Sequence, residues 1–179
     1  LRHGSPEDVI RVETLPEPAA VAERAAELIA NEARAAVAAR GRFVLAVSGG
    51  RTPWVMLRAL SGKSLPWDHV HVVQVDERVA PAGHADRNLT HLQESLLERA
   101  PLPPGHLHAM PVESPNLEEA AARYAETLRE LAGVPPVLDV VHLGLGADGH
   151  TASLVPGDPA LAVTALDVSP TGVYEGRRR

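Results

Sequence analysis

Three short segments of this sequence carry residues able to do chemistry together. The first is Ser48-Gly49-Gly50-Arg51-Thr52. Adjacent glycines let a backbone approach a ligand closely. A helix starting just beyond them would offer unpaired N–H groups and the positive end of its dipole, which suits phosphate. Ser48 and Arg51 would add donors. The Gly-Lys-Ser/Thr ending of a nucleotide P-loop is not there, and a plain strand-to-helix turn also accounts for the glycines. The second segment is Asp76-Glu77-Arg78. Arginine is the natural bidentate partner of phosphate and the acids suit sugar hydroxyls, although charge triplets are often just solvated.

The third segment runs from Gly144 to Thr151. Asp148 stands two residues before His150, among Gly144, Gly146 and Gly149. A carboxylate at that spacing can fix the tautomer of an imidazole and raise its basicity, and histidine is the usual general base at neutral pH. Gly144-x-Gly146-x-x-Gly149 also spells the dinucleotide fingerprint, with Asp167 near the expected ribose acid. That fingerprint needs a helix straight after the third glycine, and Pro156, Gly157 and Pro159 break one. His69 with His71, and His106 with His108, have a chelating spacing. Without a third ligand nearby in sequence they read as structural or surface groups.

Positioning these loops requires a scaffold, and the sequence supplies one. Residues 19–40 carry apolar side chains at helical spacing and end at Gly41. Phe43 to Val47 is a short apolar run suited to a buried strand. Thr52 as N-cap and Pro53 as first helical residue predict a helix to about Leu60. Val70 to Val75 reads as a second strand and Asn88 to Glu98 as a helix. Asn116 to Glu119 has capping-box spacing and opens a helix to about Ala132. Leu138 to Leu143 reads as a third strand and Ala162 to Val168 as a fourth. Alternating strands and helices predict an α/β fold, a mostly parallel sheet with helices on both faces, in one domain over 1–179. Ligands of such sheets bind beyond the carboxyl ends of the strands, where all three loops fall.

Composition narrows the functions. A net charge of −6 argues against a nucleic-acid surface. With no cysteine, thiol nucleophiles and zinc–thiolate sites are excluded, which fits a reducing compartment. Lys63 is the only lysine, so Schiff-base chemistry has little room. No apolar run approaches a bilayer span, and Leu1 to Gly4 begin no signal peptide. The expected setting is therefore cytoplasmic, with no membrane partner; the oligomeric state is left open.

In this order, the three loops resemble those of the 6-phosphogluconolactonase family. The matching segments are Ser48 to Pro53, then Asp76-Glu77-Arg78-x-x-Pro81, then Gly144-Leu145-Gly146-x-Asp148-Gly149-His150-Thr151-Ala152-Ser153-Leu154-x-Pro156-Gly157. Asn88 also falls where that family has an asparagine. Val155, Ala80 and Arg87 depart from its usual residues. The resemblance implies a Rossmann-like three-layer sandwich of the sugar-phosphate isomerase and lactonase type. It implies hydrolysis of 6-phospho-D-glucono-1,5-lactone in the pentose phosphate pathway, with no metal and no cofactor. His150 would be the base, with Asp76 lining the sugar site. Arg78 and the Ser48 to Thr52 loop would hold phosphate. Read from the residues themselves, backbone N–H groups near Gly146 to Gly149 would steady the oxyanion of such a reaction. The resemblance further implies more strands, a helix and a basic phosphate ligand beyond this sequence, which reads as truncated, with Arg177 to Arg179 opening the next strand. Two competing readings are a deaminase or isomerase of the same fold, with Asp76 moving a proton at C2, and a non-catalytic sugar-phosphate sensor. Against the first, Thr151 to Pro156 holds no acid.

Overall fold

The computed structural model describes residues 10–174 and 176–179; Leu1 to Gly4, read above for targeting, lie outside them. Four strands form a parallel sheet in the order β3-β2-β1-β4. They are β1 (Phe43–Val47), β2 (Val70–Gln74), β3 (Leu107–His108) and β4 (Val140–Val141). All five residues of β1 are buried, as a central parallel strand with both faces covered requires. β1 pairs Phe43 with Val70 and Val47 with Gln74, so the two strands end level.

Side-chain alternation sorts the helices between the faces. Phe43, Leu45, Val47, Val70 and Val72 pack with α1 (Pro18–Arg40), α2 (Arg51–Ser61) and α3, which starts at Asn88–Leu92 and continues as a wider π-turn, Gln93–Leu97. Val44, Ala46 and Val73 face α4 (Leu117–Ala132) through Tyr124 and Leu128. The fold is therefore α/β with helices on both faces. Along α1 the buried positions Ala22, Ala26, Ala30 and Ala33 recur once per turn, and their small side chains bring the helix close to its neighbours. Asn116 caps α4 as its spacing predicts, with Oδ1 accepting from Glu119 N at 3.2 Å.

Several local expectations are corrected. Thr52 is not the N-cap of α2. Gly50 takes that place at φ 117°, a conformation glycine adopts freely, and turns the chain into the helix two residues earlier. The third strand is two residues long rather than six, because β4 is an edge where Leu143 stands exposed. Residues 162–168 form no strand. A tight helical turn at Pro159–Ala162 precedes them, and Asp167 pairs with Arg129 at 2.7 Å, which leaves the ribose-acid reading no support. Arg177 does enter a strand, but in an antiparallel hairpin of β5 (Val173–Tyr174) and β6 (Arg177–Arg178). Lys63 pairs with Glu23. Among the described residues no helix is long and apolar enough to cross a membrane.

The paired histidines meet across β2 and β3. His71 Nδ1 lies 3.1 Å from His108 Nε2, and the His71 and His106 rings stack at 4.2 Å. Burial, then the neighbouring His106, His108 and Arg42, push His71 down to about 4. The unfolded chain, titrating near 6.5, then takes up the proton first as pH falls. Stability should be fully present above about 6.5 and drain away toward about 4. His71→Gln should remove about 1 kcal/mol of the loss between pH 7 and pH 4.5, allowing for solvent screening of a partly exposed ring. Urea denaturation at the two pH values checks this; an unchanged difference would contradict it.

Candidate active site

The tips of β1, β2 and β4 deliver the three loops to one end of the sheet. At the tip of β1, buried Ser48 donates through Oγ to His142 O at 2.9 Å, tying this loop to the one after β4. Gly49 follows under Asn88. A Cβ built on Gly49 would fall 1.7 Å from Asn88 Oδ1, so only glycine allows this approach.

At the tip of β2, the Asp76 carboxylate is buried with both oxygens hydrogen-bonded. Its Oδ2 accepts from Ser153 Oγ at 2.5 Å and its Oδ1 from Asn88 Nδ2 at 3.2 Å. Arg78 is anchored by one nitrogen, Nη1, which donates to Asp86 O at 3.1 Å. Its Nε is buried and has no hydrogen-bond partner among the described residues.

Beyond β4 the chain makes a tight turn: Gly146 N donates to His150 O at 2.8 Å, and Gly149 N to Gly146 O at 3.0 Å. Both N–H groups are engaged within the turn. The turn lays the His150 ring over Gly146, where a Cβ would meet Nδ1 at 2.3 Å. Asp148 Oδ1 contacts His150 Nδ1 at 2.5 Å and also accepts from the His150 backbone N–H at 3.2 Å. The hydrogen bond to the His150 side chain, chiefly, holds the Asp148 carboxyl below the usual carboxylate range. An ionised Asp148 fixes the proton on Nδ1, which leaves Nε2 with the lone pair.

These loops enclose a cavity of about 170 Å³. Ser48, Gly49, Asp76, Arg78, Gly146 and His150 line it, so six of the residues singled out from sequence converge. Asp148 stands behind His150 instead of on the wall. Gly50, Arg51, Thr52 and Gly149 do not line it either, and the Arg51 and Thr52 side chains are exposed on the first turn of α2. A larger hollow of about 530 Å³ over the α4 face is mostly apolar and shares only one end with this site. We place the chemistry in the smaller one, where charged groups and the imidazole meet.

The structure adds residues that sequence reasoning missed. Arg179 completes the cavity wall. Its guanidinium lies 4.8 Å over the Tyr174 ring, and Tyr174 meets the His150 ring edge-on at 5.6 Å. The hairpin holds Arg179 there through Val79 N donating to Arg178 O, Thr171 N donating to Arg179 O, and Arg177 pairing with Asp86. A three-arginine run gives no sign of which one faces a cavity. The alternation of β6 would have offered two candidates had the hairpin been recognised.

The imidazole of His150, backed by Asp148, thus shares one cavity with Arg78 and Arg179 at the tips of a parallel sheet. Residues 16–175 match the family of glucosamine-6-phosphate isomerases/6-phosphogluconolactonase, and the chain belongs to it. A 6-phosphogluconolactonase of Nostoc is 39% identical over 156 residues, 85% of this chain and 65% of its own length. One of Pseudomonas putida is 37% identical over 162 residues, 90% of this chain and 64% of its own. The chain thus spans slightly under two thirds of these relatives. Among solved structures, a 6-phosphogluconolactonase from Shewanella baltica superposes with a TM-score of 0.77 at 32% identity, covering 88% of this chain and 67% of that one. The enzyme from Trypanosoma brucei does so with 0.75 at 28% identity, covering 91% and 70%.

Proposed function

We propose that this chain carries the catalytic end of a lactone hydrolase acting on 6-phospho-D-glucono-1,5-lactone. The observation that carries the reading is the shared cavity, in which the Asp148-oriented imidazole of His150 faces Arg78 and Arg179. Neutral His150 takes a proton from water through Nε2 as the water oxygen bonds to the C1 carbonyl. The tetrahedral intermediate collapses, the C1–ring oxygen bond breaks, and the protonated imidazole returns the proton to that oxygen. Arg78 and Arg179, both on the cavity wall, receive the phosphate, with the Gly49 backbone beside them. Asp76, already fixed by Ser153 and Asn88, keeps a spare lone pair for a sugar hydroxyl. Binding the distant phosphate turns an encounter into an oriented reaction. The same reading supports a compartment that holds phosphorylated sugars, such as the cytoplasm, since a charged phosphate does not cross a bilayer unaided.

The test is turnover. The purified protein should hydrolyse the lactone well above its spontaneous rate and leave glucosamine-6-phosphate unchanged; the reverse preference would favour the isomerase branch of the family. Arg179→Ala should raise KM about 10- to 100-fold, the worth of one charge-assisted hydrogen bond, with kcat nearly kept. Unaltered KM would remove Arg179 from phosphate binding.

A further inference from the structure

Between Asp76 and Arg78 stands a carboxylate outside the small cavity. Glu77 is 1% exposed. Its Oε1 accepts from Arg78 N at 2.7 Å and Asn88 N at 2.8 Å. Its Oε2 accepts from Gln74 Nε2 at 2.8 Å and Leu89 N at 2.9 Å, with Arg87 Nε 3.2 Å away as a buried ion pair. Two of these donors are the first amides of α3, whose own N-cap residue, Arg87, supplies no side-chain cap. Glu77 therefore caps α3 from another loop. That capped end carries Asn88, which holds both the carbonyl and the carboxylate of Asp76 and lies against Gly49.

We propose that Glu77 is a positioning residue. Its carboxylate clamps the loop bearing Asp76 and Arg78 onto the start of α3 and so sets where the Arg78 guanidinium stands relative to Gly49 and His150. The geometry is specific to a carboxylate. Four N–H donors share two oxygens, so an amide in its place must turn its own N–H₂ against two of them. With Gln74, Arg87 and Asn88 all buried, water cannot repair the mismatch. The proposal rests on the hydrolase reading only for where the phosphate binds.

The test is Glu77→Gln in the purified protein, with inorganic phosphate as the probe, below the melting temperature of the variant. We expect phosphate affinity to weaken about tenfold, KM for the lactone to rise by the same factor, and kcat to change much less. A folded variant with lower Tm but unchanged phosphate affinity and KM would overturn the proposal, since a merely stabilising residue behaves that way. If Glu77→Gln does not fold, Gln74→Met removes one donor to the same carboxylate, together with the Gln74 Oε1 acceptor of Met110 N, and should weaken phosphate about threefold; unchanged affinity there overturns the proposal equally. Phosphate binding is read without turnover. A wild-type protein that binds phosphate yet leaves the lactone intact would sink the hydrolase reading and not the clamp; one that does not bind phosphate would sink both.

Discussion

His150→Asn should lower kcat for lactone hydrolysis by about 100- to 10,000-fold, the range for loss of a general base, with KM nearly unchanged. The asparagine amide can still reach Asp148, so the turn from Gly146 to His150 should keep its shape. What disappears is the lone pair on Nε2. A lactone is an activated ester that hydrolyses unaided, so the measured rate must be corrected for that background. Circular dichroism must show the variant folded. Turnover within a few fold of the wild type would remove His150 from the mechanism, and with it the meaning of its contact with Asp148.

Gly49→Ala should be almost as damaging, for a purely steric reason. Its methyl carbon would lie 1.7 Å from Asn88 Oδ1, far inside contact distance. Asn88 cannot yield alone, because it is 5% exposed and its amide holds Asp76. The strain must move the Gly49 turn, the Asp76 loop or both, and displacements near 1 Å at a reacting centre cost about 100-fold in rate. Stability should fall by about 1 to 3 kcal/mol, as for other overpacked interiors. Gly62→Ala is the matched control, since its Cβ would meet only Ala59 O at an ordinary 3.6 Å. It should leave kcat/KM untouched. Kinetics and thermal melts of both variants check the pair, and a fully active Gly49→Ala would show that the two loops do not meet as described.

The fold was legible where periodicity was long or a run was continuous. The helix ending at Gly41, the buried run Phe43 to Val47 and the Asn116 cap all stand as their residues predict. Legibility failed where a strand is short or lies at an edge. β3 is two residues bracketed by His106 and turn-forming prolines, too short for any pattern. Within the run read as a fourth strand, the apolar positions Val163 and Leu166 stand exposed without a partner strand. Thr52 lost its cap to Gly50 because a positive φ is invisible in residue type alone. At the site, loop chemistry was enough to bring together Ser48, Gly49, Asp76, Arg78, Gly146 and His150, because strand order fixes which tips are neighbours. Contacts made by loops on one another were not legible. These include Glu77 capping a helix eleven residues away, Ser153 bonding Asp76, and Arg179 carried back to the cavity by a hairpin.

The same features explain how so small a cavity holds its charges in place. Asp76 is fixed by a serine and an asparagine, Arg78 by a backbone carbonyl, and His150 by a carboxylate on its own turn. Each is oriented before any substrate arrives, which lowers the reorganisation needed during reaction.

A structure of the protein with 6-phosphogluconate bound tests the central claim most directly. The phosphate should sit between the Arg78 and Arg179 guanidiniums, beside Gly49. The C1 carboxylate should lie within about 3 Å of His150 Nε2. An ordered ligand whose phosphate lies away from both arginines, or whose C1 is out of reach of His150, would contradict the account.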